Sequence, residues 1–264
     1  MLGMAHLHYG SVTVGPENDA TEFAHSVEPT LLERQQLAIG DSSRHTFWHW
    51  VRFDLVAQVS ARAGVDTVVD IGAGSGMLGD WLREHHPRID YRFQELSPTL
   101  DAALAHQFGD EARHSPGAPI SGAVVTMLDV IEHIEDPGCF LRGVFDRMEP
   151  GGQLVVTVPA LQWAFSSWDT ELGHYRRYSK KLLRTELATA GFVVDEVGYF
   201  FPEMLPLLPI RKLRRAKRES ADFPELRPWL NRVGYLISST TARLRRVWPG
   251  GTSAVAVAHR PEVR

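Results

Sequence analysis

The stretch DTVVDIGAGSGMLGDWL, residues 66–82, joins a short β-branched run to a glycine-rich turn and the start of a helix pattern. The run TVVDI predicts a buried strand, because it is short, β-branched and flanked by turn residues. Gly72, Gly74 and Gly76 follow Asp70 at intervals of two residues. Glycines between a strand and a helix let the backbone approach a charged or flat ligand closely. The stretch therefore predicts a ligand-binding turn at the carboxyl end of a strand.

The glycine spacing distinguishes between two kinds of cofactor. A nicotinamide or flavin dinucleotide requires the pattern G-x-G-x-x-G, and Met77 stands where the third glycine of that pattern belongs. A carboxylate at Asp70 is a poor neighbour for a pyrophosphate but a good partner for a cation. The turn thus favours a ligand with a positive group near it, and S-adenosylmethionine, which carries an ammonium and a sulfonium, fits.

A second acidic residue stands at the matching place on the next predicted strand. Glu95 lies near the end of IDYRFQEL, 19 residues after Gly76. A carboxylate at that point accepts hydrogen bonds from both hydroxyl groups of a ribose. Two such features at matching positions are a stronger indication of one nucleoside-containing ligand than a glycine turn alone.

Strand and helix patterns alternate along most of the chain. Apolar residues recur at helical spacing before Gly64, and the stretches QLVVTVPA, FVVDEVGYF and TSAVAVAHR each predict a strand. This alternation predicts an α/β fold with a parallel sheet and helices on both faces. The last two strands are separated by an insert, roughly residues 202–250, which contains a helix pattern of its own.

These motifs together resemble the class I S-adenosylmethionine-dependent methyltransferases. VVDIGAGSG, QELSP, LDVIEHIEDP and MEPGGQLVVTVPA carry the resemblance, which covers about residues 44–200 and the last strand. It implies a Rossmann-like three-layer sandwich whose seven-stranded, mostly parallel sheet has a reversed last strand, and the helix pattern of the insert predicts a helical cap before that strand. It also implies an enzyme with S-adenosylmethionine as cofactor. The expected cofactor contacts are Asp70, Gly72, Ala73, Gly74, Gly76, Glu95, Leu96, Leu128 and Asp129.

One stretch departs from the family pattern. Such proteins have a third strand between Glu95 and the next core strand, ending in an acidic residue beside the adenine. Here the corresponding stretch, HQFGDEARHSPGAPIS, is short and interrupted by prolines. Asp110 is a candidate for that acid, and the alternative is an adenine held mainly by apolar contacts.

Two stretches that follow core strands predict the reaction site. In DVIEHIEDP, His133 is a candidate base, with a structural role bracing the next helix as the alternative. In the stretch from Trp163 to Tyr178, His174 is a second candidate base. We favour His133 for the proton role and predict that His174 and Tyr178 orient the acceptor. Arg176, Arg177 and Trp163 are predicted to contact the substrate. The alternative for the arginines is structural pairing with Asp169 and Glu171.

The residues Asp129, Glu132 and His133 form the pattern D-x-x-E-H. It resembles the E-x-x-E-H signature of small-RNA 2'-O-methyltransferases and of ubiquinone-pathway O-methyltransferases, in which the acids and the histidine bind Mg²⁺. Many methyltransferases without a metal also have an E-H pair at this point. No metal is therefore expected, and these three residues remain the candidates if one is used.

Composition and charge indicate where the protein is located and which partners it binds. The 264 residues carry a net charge of −4 and one cysteine, Cys139, which indicates no general affinity for nucleic acid and no internal disulfide. Without a secretory pattern or an apolar run near the ~20 residues of a membrane span, we expect a cytoplasmic protein. The basic run RKLRRAKR at 211–218 lies beside the apolar FFPEMLPLLPI, and the pair predicts peripheral contact with a membrane through 201–218. The alternatives are that the apolar part packs over the active site and that the basic run is a solvated helix face.

The sequence predicts three regions and leaves more than one function open. Residues 1–45 are expected to form an arm or cover, 46–200 and 251–264 the methyltransferase core, and 201–250 the helical cap. The main hypothesis is methyl transfer by in-line displacement to a small-molecule or lipid-linked acceptor. One alternative is a non-catalytic binding module that uses the cap for a protein partner, and another is an Mg²⁺-assisted O-methyltransferase.

Overall fold

The computed structural model of the protein describes residues 46–208 and 226–262, together with Glu33 and Gln36. These residues form a six-stranded sheet in the order β2-β1-β3-β4-β6-β5. The first four of these neighbours pair in parallel, and β6 runs antiparallel to both β4 and β5. The strands are Thr67–Ile71 (β1), Asp90–Gln94 (β2), Val124–Leu128 (β3), Gln153–Pro159 (β4), Val193–Phe200 (β5) and Ser253–His259 (β6).

Among the described residues, the helices occupy the connections that the sequence pattern predicted, except that the short helix Ser167–Glu171 was not predicted. They are Phe47–Ala63 (α1), Met77–His85 (α2), Pro98–Phe108 (α3), Pro137–Arg147 (α4), Ser167–Glu171 (α5), Lys180–Thr189 (α6) and Pro228–Arg243 (α7). Their ends follow local chemistry. The Ser97 hydroxyl accepts from the Leu100 N–H ahead of Pro98 at the start of α3, and Gly64 ends α1 with a φ of 66°.

The prediction of a seventh strand is wrong for the described residues. Where the third strand of the family pattern belongs, only one parallel bridge joins Phe93 to Arg113, with the His114 N–H donating to the Phe93 carbonyl at 2.7 Å. Pro116 and Pro119 follow at once. A proline lacks the N–H that a ladder needs, so the pairing cannot continue as a strand.

Two apolar layers cover the two faces of the sheet, as expected for a three-layer α/β sandwich. One cluster packs α4 and α6 against the sheet, with Leu141 and Leu183 fully buried. The other packs α1, α2 and α3 against the opposite face, with Val56 and Leu82 fully buried. These layers hold the carboxyl ends of β1 to β4 together at one edge of the sheet.

The insert before β6 lies on the same face as α1. Within its described part, a 3₁₀ segment spans Pro202–Leu207, and α7 packs along α1. The Asn231 side-chain oxygen accepts from the Phe47 N–H at 2.7 Å, and the Tyr235 hydroxyl donates to Asp54 at 2.7 Å. The basic run at 211–218 and nearly all of residues 1–45 lie outside the described residues. No helix among the described residues is long and apolar enough to cross a membrane.

Candidate active site

A large cleft opens at the carboxyl ends of the parallel strands. Its volume is about 1780 Å³, whereas a typical small-molecule pocket measures roughly 300–1,000 Å³. The glycine turn, the ends of β2, β3 and β4, and the inner sides of α1 and α7 line it. A cleft of this size has room for two ligands placed side by side.

The glycine turn forms one end of the cleft. Gly72 has a φ of 74°, and a Cβ there would lie 2.8 Å from Cγ2 of Val130. Gly74 has a φ of 58°, and its N–H donates to Oε2 of Glu95 at 2.9 Å. Both positions therefore require glycine, because a side chain would be strained and would fill the space beside the turn. This open backbone surface fits a ligand that lies directly on the turn.

Gly76, which the sequence predicts to contact the cofactor, is not among the residues that line the cleft. It caps α2 with a φ of 73°, and a Cβ there would lie 2.6–2.7 Å from the side chains of Phe108 and Leu104. Gly76 is thus needed for close packing of the turn against α3.

Asp70 lies beneath the turn and is almost fully buried. Its carboxylate accepts hydrogen bonds from the Thr126 hydroxyl at 2.7 Å and from the Tyr91 hydroxyl at 3.1 Å. Burial raises the pKa of Asp70 to about 6, and these hydrogen bonds oppose the rise. Because Asp70 still lines the cleft, a cation bound there would favour its ionised form.

Glu95 connects the turn to the loop after β2. Its Oε1 accepts from the backbone N–H groups of Leu96 and Ser97 at 2.8 and 3.0 Å. Leu96 is exposed. It lines the cleft together with Ala73 and Leu128. Gln36 and Glu33 reach the same end of the cleft, where Gln36 accepts from the Ser75 N–H and Glu33 from the Ser97 hydroxyl.

Asp129 follows β3 in a left-handed conformation, with a φ of 58°. Its carboxylate lies 3.2 Å from Nη2 of Arg52 and accepts from the Thr157 hydroxyl at 3.2 Å. Such strained conformations in non-glycine residues concentrate at functional sites. Arg52 was not predicted as a site residue, although it interrupts the apolar stripe of α1. It is buried, lines the cleft and donates to the Ser253 hydroxyl at 2.6 Å.

Three potential ligand or proton-transfer groups meet at the ends of β3 and β4. Ligand atoms of Glu132, His133 and His174 all lie within 4.8 Å of one another. The Glu132 side chain is fully buried and neither carboxylate oxygen has a hydrogen-bond partner. Burial, with the charge of Asp129, raises the pKa of Glu132 well above its usual value. Burial, with the neighbouring His174, lowers the pKa of His133 to about 4. His133 is therefore neutral at physiological pH.

A buried carboxylate orients His174. Asp169 has no exposed surface, and its Oδ1 lies 2.9 Å from Nδ1 of His174. Arg177 donates to both oxygens of Asp169, at 2.8 and 3.0 Å. Burial opposes ionisation of Asp169, but the hydrogen bonds from His174 and Arg177 outweigh it and hold the pKa below its usual range. Asp169 was considered in the sequence only as an ion-pair partner.

Of the other residues predicted to contact the substrate, some line the cleft and some do not. Trp163 is exposed and lines the cleft. Arg177 also lines it but is paired with Asp169, so the structural alternative describes its side chain. Arg176 does not line the cleft, and it donates to the Glu135 carbonyl at 2.5 Å. Tyr178, which the sequence predicts to orient the acceptor, has its ring fully buried in the core and does not line the cleft.

Similarity to known proteins agrees with this geometry. A protein-family model of a methyltransferase domain matches residues 44–197. A ubiquinone biosynthesis O-methyltransferase of Aeromonas salmonicida is 27% identical over 116 residues, which cover 40% of this chain and 49% of the relative. The chain thus spans about half the length of this curated relative.

Two solved structures share the fold. A Haloferax volcanii protein in complex with the Trm112 methyltransferase activator matches with a TM-score of 0.56 and 18% identity, covering 89% of this chain and 99% of that one. Phosphoethanolamine N-methyltransferase 2 of Haemonchus contortus, in complex with S-adenosyl-L-methionine, matches with a TM-score of 0.51 and 17% identity, covering 88% and 59%. Since the family model covers more than half of the chain, the protein belongs to the methyltransferase-domain family of class I S-adenosylmethionine-dependent methyltransferases.

Proposed function

We propose that the protein transfers the methyl group of S-adenosylmethionine to a small-molecule or lipid-linked acceptor by in-line displacement. The observation that carries this proposal is the arrangement of one cleft: the glycine turn and Glu95 lie at one end, and His133 and His174 follow the next two strands. In an open α/β sheet, ligands bind at the carboxyl ends of the strands. Family membership supports the cofactor.

The residues of the glycine turn fit the cofactor's amino-acid end. Gly72 and Gly74 leave the backbone open, and Asp70 provides a carboxylate beneath it. Glu95 stands where a carboxylate can accept from ribose hydroxyls. When bound, S-adenosylmethionine supplies a methyl group already activated on a sulfonium. The protein mainly has to align the acceptor and exclude water, and alignment can contribute about 7–11 kcal/mol.

His174 is the better-supported general base of the two histidines. Asp169 is ionised and can only accept, so Nδ1 of His174 donates to it and Nε2 is left as the acceptor. An acceptor hydroxyl or ammonium would lose its proton to that nitrogen. His133, which sequence reasoning assigned to proton transfer, is the weaker base because its pKa is lowered to about 4. Its ring centre lies 4.6 Å from that of His174, so it can position the same acceptor.

The far wall of the cleft supports an acceptor with apolar parts. Leu230, Val233 and Ile237 of α7 line this wall, with Met204 and Leu207 of the insert. An apolar chain bound there would cover side chains that are exposed in the free protein and remove apolar surface from water, which favours binding. The curated relative's name, ubiquinone biosynthesis O-methyltransferase, supports an oxygen acceptor.

A second candidate function is metal-assisted O-methylation, favoured by the cluster of Glu132, His133 and His174. Two unpartnered carboxylate oxygens beside two imidazoles are ligands that a divalent cation accepts. Asp129, one of the three candidate ligands in the sequence, is not in this cluster and instead pairs with Arg52. A metal there would acidify an acceptor hydroxyl. In that case chelation abolishes activity and Mg²⁺ or Mn²⁺ restores it, whereas the base mechanism is insensitive to chelation.

Calorimetry with S-adenosylhomocysteine and NAD tests the proposed cofactor. We expect S-adenosylhomocysteine to bind and NAD not to bind. Glu95→Ala should weaken binding by about 1.5–3 kcal/mol, the range for hydrogen bonds to charged groups. Glu84→Ala on the exposed side of α2 is the matched control. Equal affinity of Glu95→Ala and the wild type would contradict the placement of the ribose.

Transfer of a labelled methyl group to a lipid extract or to small-molecule acceptors then tests catalysis. Incorporation that requires His174 supports the proposed reaction. Tight S-adenosylhomocysteine binding without transfer to any acceptor would favour the non-catalytic binding module.

A further inference from the structure

Exposed apolar side chains are concentrated on and just after α7. Thirteen large apolar side chains are exposed among the described residues, and seven of them lie between residues 229 and 247. They are Trp229, Leu230, Val233, Leu236, Ile237, Leu244 and Val247. Single exposed apolar residues are ordinary, but a group of this kind marks an interaction surface.

The apolar residues of α7 lie on one side of the helix. At 100° per residue, Trp229, Leu230, Val233, Leu236 and Ile237 fall within an arc of about 120°. Asn231, Ser238 and Ala242 lie on the opposite side and are buried. Leu230, Val233 and Ile237 border the cleft, whereas Trp229 and Leu236 do not line it. We call Trp229, Leu236 and the exposed arginines beside them the outer face of α7.

The outer face is also positively charged. Arg232 and Arg243 are exposed, fall on the same side of the helix as Trp229 and Leu236, and form no ion pair within the described part of the chain. The sequence has no acidic residue between 226 and 252. Residues 211–246 carry eleven basic and three acidic side chains, in a protein whose net charge is −4. This distribution sets the helix and the chain before it apart from the rest of the molecule.

We propose that the outer face of α7 docks the protein on an anionic lipid bilayer. Tryptophan and leucine enter the interface between headgroups and acyl chains, while arginines contact anionic headgroups. The charge argues for this partner, since a neutral surface would leave the two arginines without counter-charges. Resting on the function proposed above, the same helix would place the apolar side of the cleft next to the bilayer from which a lipid-linked acceptor enters.

Vesicle flotation of the full chain tests the inference. The probes are vesicles of phosphatidylcholine alone and vesicles of phosphatidylcholine mixed with phosphatidylglycerol. We expect flotation with the mixed vesicles at low salt, release at high salt, and little binding to the neutral vesicles. Both the double variant Trp229→Ser, Leu236→Ser and the double variant Arg232→Glu, Arg243→Glu should lower binding about tenfold or more.

Matched controls separate the outer face from general effects. Leu182→Ser with Val193→Ser removes two exposed apolar residues elsewhere, and Arg62→Glu with Arg88→Glu makes the same change of net charge. Both control variants should float like the wild type. Thermal unfolding and S-adenosylhomocysteine binding of every variant show whether it is folded and whether its cofactor site is intact.

Several outcomes would overturn the inference. One is the absence of flotation with anionic vesicles, and another is equal loss in the control variants. A third is sedimentation showing a dimer that Trp229→Ser, Leu236→Ser dissociates, without vesicle binding, since the face would then join two copies of the chain. A protein that binds S-adenosylhomocysteine but no vesicles retains the proposed function and loses only this inference.

Discussion

The Nδ1 atom of His174 lies 2.9 Å from Oδ1 of Asp169, a carboxylate with no exposed surface. This contact fixes the tautomer of the imidazole, because an ionised carboxylate can only accept a hydrogen bond. In the neutral imidazole the second nitrogen is then an acceptor, and His174 lines the cleft. In this pair, a buried carboxylate holds and orients an imidazole that can act as a base.

Replacement of His174 tests this assignment. His174→Ala should lower the turnover number by roughly 10²–10⁴-fold, the usual contribution of a general base. The affinity for S-adenosylhomocysteine should not change, because Glu95 and the glycine turn remain intact. Turnover and calorimetry on the same preparations check both expectations. His106→Ala, on the exposed side of α3, is the control. Wild-type turnover in His174→Ala would remove the proton-transfer role.

Val130 lies where a side chain at Gly72 would be placed, so we expect a smaller residue at 130 to restore stability lost by substitution of Gly72. Gly72→Ala should abolish detectable S-adenosylhomocysteine binding and lower the free energy of unfolding. The positive φ contributes about 1–2 kcal/mol, and the contact of the new Cβ with Val130 adds to it. Gly64→Ala isolates the first effect, since its φ is 66° and nothing lies within 4 Å of its added Cβ. Urea unfolding should show that Val130→Ala restores part of the stability of Gly72→Ala. Equal losses in Gly72→Ala and Gly64→Ala would mean that the contact has no cost.

The raised pKa of Asp70 predicts a pH dependence of binding. A bound cation favours the ionised carboxylate, so binding releases a proton where Asp70 is protonated in the free protein. The affinity for S-adenosylhomocysteine should therefore fall as the pH decreases from about 7 to about 5, through the pKa of about 6. Calorimetry should show weaker binding by Asp70→Asn and a smaller dependence on pH. Parallel pH profiles would show that another group titrates.

The stability of the unliganded protein should change in the opposite direction. Because the folded pKa of Asp70 lies above its usual value, the folded state binds this proton more tightly than the unfolded state. The wild type should gain stability relative to Asp70→Asn as the pH falls through about 6, and lose that gain as the pH rises again. Chemical unfolding of the two proteins at matched pH values measures the difference.

The carboxyl group of Glu132 has no hydrogen-bond partner, so its replacement should stabilise the protein at the expense of function. Glu132→Met replaces a buried group without hydrogen bonds and should raise the free energy of unfolding by about 1–3 kcal/mol. Glu132→Gln keeps a polar group at the same place and should give little gain. Urea unfolding near neutral pH measures both. Methyl transfer should be lost in Glu132→Met if the cluster binds a metal. A less stable Glu132→Met would indicate that the carboxylate is ionised and stabilised by Arg52.

Local patterns were enough to predict most of the fold. The boundaries of α1 and α3 follow from Gly64 and Ser97, and the strands follow from short β-branched runs. The prediction of a seventh strand failed because it came from the family pattern, whereas the local sequence contains Pro116 and Pro119. The resemblance also placed Gly76 on the cofactor, although the structure uses this glycine for packing against α3.

The charged part of the site was harder to predict, because its partners come from distant parts of the chain. Arg52 and Asp129 are 77 positions apart, and no local pattern pairs them. The signal that was available is a single arginine on the apolar stripe of α1. Tyr178 stands four residues after His174, yet its side chain enters the core. Closeness in sequence therefore indicated that the two residues lie in the same region, but not that their side chains point the same way.

The single bridge between Phe93 and Arg113 has a consequence for solubility. It leaves β2 as an outer strand of the sheet, and such strands tend to recruit a further strand from another molecule. Here the backbone N–H of His114 and the side chain of Arg92, which donates to the Glu111 carbonyl, hold the following loop against that edge. The short length of β2 and its charged Asp90 and Arg92 add to this protection. The loop held against β2 thus protects this edge of the sheet from edge-to-edge aggregation.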